Sequence, residues 1–425
     1  MSNKEFKKGE GRMSRRTFLK GAAALGGAAS ALTGIPGISR ISWAQAKKPI
    51  KLGGLYDLTG PFATESEDQR KATQMVVDEY NNKGGLLGRP IEHIVRDSKL
   101  KTDEAALKAK ELVEKEKVDL AIGTLGAHTV VAYNIECKKH NIPLMGICQT
   151  DDLNKMPDWG PYTFHEGFTP YMTSQAEARW IAKNLGTKWY FLIGQWAFGQ
   201  QIYNSYLQFL AKNPGITNLG KSDYPLGGTE YSMHFTKIID AKPEVLITTG
   251  FGKDHTNQAK QMTDFGLKSK MKIFFVLTDL MMAKEAGQAS MAGMYAGTHF
   301  YWELQDTIPT AKPFVQAFWK RWGRPPTGYG GYGYGGAKEL LGAVERAGAL
   351  DPEKVRKQLE GRSYDNYKGK QWWRKCDHQS MQDFYVLKGR EPKDAKKEWA
   401  FFDVLGKTDA DESLERTCAE LGFKG

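Results

Sequence analysis

An acid–base pair stands near the middle of the chain, where Asp254 directly precedes His255. A neighbouring carboxylate and imidazole can move protons during hydrolysis, so a secreted hydrolase is one function to test. A Gly-x-Ser-x-Gly elbow or a His-Glu-x-x-His pair would normally accompany such chemistry, and the sequence contains neither. The eight histidines lack metal-site spacing; they are His93, His128, His140, His165, His234, His255, His299 and His378. We therefore predict no enzyme, metal or cofactor, and keep the hydrolase as an alternative.

The four cysteines form no Cys-x-x-Cys motif and allow three pairings. Cys376 and Cys418 both lie in the C-terminal segment, where a disulfide and two free thiols are both compatible with the sequence. Cys137 falls on a predicted helix and Cys148 at the end of a predicted strand. We expect these two to be buried thiols.

A glycine–tyrosine tract occupies residues 328–336 and invites a phosphate-loop interpretation. It lacks the Lys-Ser/Thr that should follow, and no predicted strand precedes it. We predict a loop that enters a helix, with its tyrosines packed on the protein.

The charge of the 425-residue chain is uneven, with 60 basic and 49 acidic residues and a formal net charge of +11. Residues 1–46 hold eight basic and two acidic side chains, which leaves 52 basic and 47 acidic in the other 379 residues. So small an excess of basic over acidic residues, spread over that length, does not indicate the clustered basic surface of a nucleic-acid-binding protein.

The first segment has the pattern of an export signal. Ser-Arg-Arg-Thr-Phe-Leu-Lys at residues 14–20 matches the twin-arginine motif, an Ala/Gly-rich apolar stretch follows, and Ala44-Gln45-Ala46 forms a cleavage signature. A membrane anchor is the alternative, but Gly34, Pro36 and Gly37 interrupt the apolar stretch. We expect cleavage after Ala46 and a periplasmic mature chain without membrane insertion.

Strands and helices alternate from residue 49 onward, which favours parallel sheets covered by helices. Predicted strands lie at residues 50–56, 91–96, 118–122 and 142–147, and again at 189–193, 245–249 and 273–277. Two doubly wound α/β lobes fit this count. Ligands of such sheets bind beyond the carboxyl ends of the strands, and several of the loops there carry glycine before a helix.

The order of several segments resembles the leucine/isoleucine/valine-binding family of periplasmic solute-binding proteins, type I, which serve ABC importers. The opening strand with Leu-Thr-Gly-Pro at residues 58–61 and the Asn-x-x-Gly-Gly-x-x-Gly-x-Pro-Ile segment at 81–91 carry the resemblance. Residues 118–124, 141–144, 265–274 and 364–386 continue it. It implies two lobes joined by three crossovers, near residues 163–167, 298–302 and 367–372. One lobe would hold residues 47–164 and 300–370, the other 165–299 and 371–425.

The resemblance also implies a ligand shell between the lobes. In the first lobe the loops Gly126-Ala127-His128 and Cys148-Gln149-Thr150 would hold a carboxylate, although Ala127 stands where a serine is usual. In the second lobe Asp279 would meet an ammonium, between Phe198 and Phe251 as walls. Glu65 would lie on a first-lobe loop, so that Glu65 and Asp279 together would suit a cationic group on the ligand. The aromatic walls could add a cation–π attraction to that group.

Structural roles are the alternatives for the same residues: Glu65 facing solvent, Asp279 capping a helix, the phenylalanines in the core and His128 in a solvated loop. The function implied is capture of an amino acid or a related amine or carboxylate compound by hinge closure. An aromatic acid or an amide is the alternative ligand, and a sensory module the alternative role. The expected partners are the ligand and membrane permease subunits, and the expected state is a monomer.

Overall fold

The computed structural model describes residues 47–424. The predicted export signal, residues 1–46, lies outside the described residues. Between residues 47 and 424, no helix combines the length and the apolar character needed to cross a membrane.

The first sheet has five strands in the order β2-β1-β3-β4-β5, all parallel. Its elements follow the predicted alternation, with strands that are almost wholly buried except for the edge strand β2. They are β1 Ile50–Tyr56, α1 Ala63–Asn82, β2 Ile91–Asp97, α2 Thr102–Lys110, β3 Leu120–Gly123, α3 Ala127–His140, β4 Leu144–Gly146 and β5 Thr163–His165.

The second sheet has seven strands in the order β15-β14-β10-β9-β8-β6-β7. Five are parallel, and β14 and β15 are added antiparallel beside β10. Its first elements are α4 Pro170–Asn184, β6 Lys188–Gly194, α5 Ala197–Lys212, β7 Thr217–Tyr224, α6 Ser232–Asp240, β8 Val245–Thr248, α7 Lys253–Asp264, β9 Lys272–Phe275, α8 Leu280–Ala286, α9 Gln288–Met291 and β10 Tyr295–Thr298. Two α/β lobes built on parallel sheets are thus confirmed.

After β10 the chain returns to the first lobe. The elements that follow are α10 Ala311–Trp322, α11 Gly328–Ala347, α12 Pro352–Leu359, β11 Ser363–Tyr364, β12 Gln371–Trp373, β13 Ser380–Met381, β14 Phe384–Gly389 and β15 Phe402–Thr408. Helix α11 packs along α1, and β11, β12 and β13 form a small antiparallel sheet.

The glycine–tyrosine tract is helical, not a loop as predicted, because α11 begins at Gly328. The glycines allow close contact that a side chain would block: a Cβ on Gly333 would lie 2.3 Å from the Gln69 carbonyl oxygen of α1. Thr327 caps the helix by accepting the Gly330 amide at 3.1 Å. Close tertiary packing therefore outweighs the low helix propensity of glycine.

The third crossover lies later than residues 367–372, where the resemblance placed it. Strand β12 stays with the first lobe, since Trp373 packs edge-on against Phe164 with ring centroids 5.4 Å apart. The chain enters the second sheet only at Phe384. Near its end the chain contacts the first lobe again, and the Met156 amide donates to the Leu421 carbonyl at 3.0 Å.

The structure contains a disulfide between Cys376 and Cys418, which the sequence had left open. The bond ties the C-terminal segment to the loop between β12 and β13. Cys137 and Cys148 are free and buried, as predicted.

Candidate functional site

A cavity lies between the lobes, at the carboxyl ends of both parallel sheets. The first lobe lines it with residues that follow β1, β3 and β4 and with one from α11: Phe62, Leu125, Gly126, Ala127, His128, Gln149 and Tyr329. The second lobe lines it with residues that follow β6, β7, β8 and β9: Trp196, Phe198, Leu226, Phe251 and Leu277. This is the location at which parallel α/β sheets bind ligands.

Aromatic rings join the lobes across the cavity. The ring of Phe251, from the second lobe, packs edge-on against Phe62 at 4.8 Å and Tyr329 at 5.2 Å, both from the first lobe. The space that water-sized molecules can fill is about 30 Å³. Ligand sites for drug-sized molecules measure roughly 300–1,000 Å³. The lobes are therefore closed on each other, and a ligand needs them to separate before it can enter.

Polar contacts between the lobes flank the rings. Gln201 of α5 donates to the Asp152 carboxylate at 2.9 Å and accepts the Asp151 amide at 3.2 Å. Gly252 lies so close to the first lobe that an added Cβ would come within 2.3 Å of the Pro61 carbonyl oxygen. These contacts exist only while the lobes are together.

Five of the predicted ligand residues line this cavity: Ala127, His128, Gln149, Phe198 and Phe251. The Gln149 side-chain oxygen accepts the Tyr329 hydroxyl at 2.8 Å, whereas its buried Nε2 has no partner among residues 47–424. His128 is half-buried, with Nε2 3.1 Å from the Leu100 carbonyl oxygen. Among the described residues, Nε2 of Gln149 is thus a side-chain amide donor without a partner in a mainly apolar wall.

Cys148 and Thr150 are buried but do not line the cavity. The Thr150 hydroxyl bonds the Asp152 carboxylate at 3.2 Å and accepts the Asp152 amide at 3.1 Å. The Cys148 sulfur lies 3.7 Å from Nε2 of His165. Both side chains therefore stabilise the loop after β4 without lining the cavity.

Glu65 and Asp279 are both 3% exposed and stand on opposite lobes, in the first turn of α1 and at the N-cap of α8. Asp279 caps α8 by accepting the amides of Met281 and Met282 at 2.9 and 3.0 Å with one oxygen. Its other oxygen, like Oε2 of Glu65, has no hydrogen-bond partner in the described part of the chain. The predicted capping role of Asp279 is present, and one oxygen remains free.

Burial raises the pKa of both acids. Burial, together with Asp279, raises the pKa of Glu65 well above its usual value. Burial also raises the pKa of Asp279 to about 7, with Asp68 adding to the effect. The sequence had left open whether Glu65 faces solvent, and the structure buries it.

Asp57, which the sequence analysis did not single out, occupies the N-terminus of α3. One of its carboxylate oxygens accepts the amides of Leu125 and Gly126 at 2.9 and 2.6 Å, and the other accepts the Ser98 hydroxyl. One amide of the loop expected to hold a ligand carboxylate, that of Gly126, therefore already binds a carboxylate of the protein itself, whereas the amides of Ala127 and His128 are not among the partners of Asp57.

The hydrolase alternative does not match the geometry of Asp254 and His255. The Asp254 carboxylate accepts the Tyr231 hydroxyl at 2.7 Å and the Gly227 amide at 3.1 Å. His255 bonds the Thr278 hydroxyl at 3.0 Å and lies against Phe275, and burial lowers its pKa to about 3. Each side chain is committed to the packing of the second lobe.

Residues 215–222 also match the Gly-x-x-x-x-Gly-Lys-Ser spacing of a phosphate loop. They run into the edge strand β7, not from a strand into a helix, so they do not form that loop.

Replacing Gly252 with Ala is expected to weaken ligand binding roughly fivefold or more, because the new Cβ collides with Pro61 only when the lobes close. Gly252 has φ +55°, so alanine also strains the backbone. Gly266, with φ +67° and only the Ser269 hydroxyl oxygen at 4.0 Å from an added Cβ, is the matched control in the same lobe. Calorimetry should find lower affinity in Gly252→Ala and unchanged affinity in Gly266→Ala; equal affinity in both would contradict closure.

Comparisons with known proteins agree with this architecture. The family model for periplasmic binding proteins matches residues 49–396. A Leu/Ile/Val-binding protein homolog 7 of Brucella abortus is 23% identical, over 74% of this chain and 82% of the relative. An amino acid ABC transporter substrate-binding protein from Pseudomonas fluorescens Pf-5 has a TM-score of 0.79 at 24% identity, covering 87% of this chain and 98% of its own.

A solute-binding protein of an R. palustris ABC transporter, solved in complex with benzoate, has a TM-score of 0.75 at 18% identity, covering 85% of this chain and 97% of its own. At such identities the solved structures establish the fold. Two lobes, an interlobe cavity and a family model that spans most of the chain lead to one conclusion. The chain belongs to the periplasmic binding protein family.

Proposed function

We propose that this protein is the extracytoplasmic substrate-binding protein of an ABC importer and captures a small solute by closing its two lobes. The observation that carries the proposal is the cavity whose walls come from both lobes and whose apolar rings meet across the cleft. A solute bound there would hold the lobes together, and the closed surface is what membrane permease subunits would recognise. The protein would work as a monomer without a cofactor.

The ligand would be an amino acid or a related small compound that carries an amine or a carboxylate. Phe198, Phe251 and Tyr329 suit an apolar or aromatic body, and the free oxygens of Glu65 and Asp279 suit an ammonium. The relatives fit this range, since their names include amino acids and one structure contains benzoate. We propose Glu65, Ala127, His128, Gln149, Phe198, Phe251 and Asp279 as the ligand shell, supported from behind by Cys148 and Thr150.

The site of action would be the periplasm, reached through the twin-arginine pathway with cleavage after Ala46. The disulfide between Cys376 and Cys418 supports this location, because disulfides persist in oxidising compartments and are rare in the cytosol. N-terminal sequencing of the protein from the periplasmic fraction should find Lys47 as the first residue.

A thermal-shift screen tests the binding function. Mature protein, freed of bound solute in guanidinium without reductant and refolded, would be screened against amino acids, amines, aromatic acids and amides. A ligand at 100 times its Kd stabilises the folded state by about 2.7 kcal/mol, which raises the melting temperature by roughly 3 °C in a chain of this size. Saturable shifts without turnover are expected. Catalytic turnover of a solute, or no shift with any class, would contradict the proposal.

A further inference from the structure

We propose that Arg416 is a positioning residue for ligand capture. It lies on a C-terminal strap, residues 409–424, that connects the two lobes a fourth time, and through Asp151 it holds the cleft loop of residues 149–152 in the closed arrangement. Arg416 does not line the cavity, so it would act on the bound solute only through that loop. The inference deepens the proposed function and rests on it.

The strap begins on the second lobe. Thr408, the last residue of β15, donates its hydroxyl to the Ala176 carbonyl of α4 at 3.2 Å. Leu414 is buried, and the buried Glu415 carboxylate accepts the hydroxyl of Thr169, which is the N-cap of α4. The strap is therefore fixed to the second lobe as far as Glu415.

The next residue belongs to the first lobe. The Arg416 carbonyl accepts the Arg374 guanidinium at 2.8 Å, and Cys418 forms the disulfide with Cys376. Arg374 and Cys376 both lie in the loop after β12. Within residues 47–424 the chain has by then passed between the two sheets three times, after β5, after β10 and before β14. The step from Glu415 to Arg416 is thus a fourth connection between the lobes.

The Arg416 side chain joins the two lobes at Asp151. Its guanidinium donates to one Asp151 carboxylate oxygen at 3.1 Å and lies over the Tyr171 ring, 4.2 Å from the ring centroid. The other oxygen of Asp151 accepts the Tyr171 amide at 3.2 Å. Asp151 belongs to the first lobe and Tyr171 to α4 of the second, and both are buried. Burial strengthens the charge-assisted bond and the cation–π contact, because little water competes with them.

Asp151 connects this junction to the cleft. It lies two positions after Gln149, which lines the cavity. The Asp151 amide donates to the side-chain oxygen of Gln201, from the second lobe, at 3.2 Å, and Asp152 accepts the Gln201 side chain at 2.9 Å. A rotation of Asp151 would therefore displace both the Gln149 wall and the bonds between the lobes. By fixing the Asp151 carboxylate, Arg416 opposes that rotation.

Arg416 is also the cation that balances the junction. Burial raises the pKa of Asp151, and the Arg416 guanidinium opposes that rise. The Glu415 carboxylate lies 3.7 Å from the same guanidinium. Lys155 acts on Asp151 as well, but its ammonium is bonded to the Asp152 carboxylate at 2.7 Å. Loss of Arg416 would leave Asp151 a buried acid with no direct cationic partner among the described residues.

Replacing Arg416 with Gln should weaken solute binding roughly tenfold, because the loop then favours the closed form less. Calorimetry with L-leucine, L-phenylalanine and benzoate as probes measures the Kd well below the melting temperature. Arg416→Lys keeps the charge and should recover part of the affinity. Arg179→Gln is the matched control, since the exposed Arg179 of α4 donates to the Ser413 carbonyl of the strap at 3.3 Å. The control should bind as the wild type does.

A double-mutant cycle tests whether Arg416 acts through Asp151. Asp151→Asn should also weaken binding, although asparagine can still accept the Tyr171 amide. If the two residues act as one unit, the double variant binds no more weakly than the weaker of the two single variants. A purely structural role would lower the melting temperature and leave the Kd of the folded protein unchanged. That result in Arg416→Gln, or additive losses of affinity in the cycle, would overturn the inference.

Hydrogen–deuterium exchange tests the positioning without any solute. In solute-free protein the amides of residues 149–152 should exchange roughly fivefold faster in Arg416→Gln than in the wild type or in Arg179→Gln. Equal exchange in the wild type and Arg416→Gln would overturn the positioning role and leave the proposed function in place. Wild-type protein that binds no compound of the thermal-shift screen would instead contradict the proposed function.

Discussion

Replacing Asp279 with Asn is expected to weaken binding of an amine-bearing ligand by about 30-fold or more. Loss of one partner of a buried charge pair costs roughly 2–5 kcal/mol, and 2 kcal/mol corresponds to about 30-fold in affinity. The cap of α8 should survive, because asparagine accepts the amides of Met281 and Met282 as aspartate does. Calorimetry and thermal melting of the variant measure the two effects separately.

The ligand-free variant should be at least as stable as the wild type at pH 8. The pKa of Asp279 is raised to about 7 in the folded state, so its proton is bound more tightly there than in the unfolded chain. The stability gained in this way is complete below about pH 4 and is lost as the pH rises to about 7. Asparagine carries no charge, so the variant does not bury the ionised carboxylate that Asp279 has at pH 8. Asp264→Asn, at an exposed site of the same lobe, is the control. Unchanged affinity in Asp279→Asn would show that Asp279 is only a helix cap and does not bind the ligand.

Replacing Cys376 and Cys418 together with serine is expected to destabilise the folded protein by about 4 kcal/mol, from the loss of a crosslink between positions 42 residues apart. In a chain of this size that corresponds to a melting temperature lower by about 5 °C. The bond holds the C-terminal segment on the first lobe, where Arg416 contacts the Asp151 carboxylate at 3.1 Å. Thermal melting with and without reductant measures the effect.

Reductant should lower the melting temperature of the wild type to that of the double variant and leave the double variant unchanged. The buried free thiols of Cys137 and Cys148 are present in both proteins, so they do not contribute to the difference in melting temperature between them. Mass spectrometry that finds unpaired Cys376 and Cys418 in periplasmic protein would contradict the bond.

The strands of the two lobes could be predicted because most are short, apolar and bounded by turn residues. Strands β7 and β15 were not predicted. Both are edge strands whose residues are mostly exposed or partly exposed; β7 is largely polar and Gly220 interrupts it, and β15 mixes polar residues with the exposed Val404 and Leu405. An edge strand has one neighbour and buries few of its side chains, so its sequence lacks the continuous apolar run that marked the central strands.

The lining of the cavity was predicted in part. The strand-end loops were correctly located, which gave Gln149, Phe198 and Phe251. Tyr329 was missed because it stands in a glycine-rich tract, and only the packing of α11 on α1 makes that tract helical. Asp57 was missed because its role depends on amides 68 and 69 residues away.

Small-angle X-ray scattering of the mature protein tests the central claim most directly. Solute-free protein would be compared with protein saturated by the compound that gives the largest shift in the thermal-shift screen. Closure of the lobes on a solute predicts a smaller radius of gyration in the saturated sample, and a much reduced change in Gly252→Ala. Superimposable scattering curves at saturation would contradict capture between the lobes.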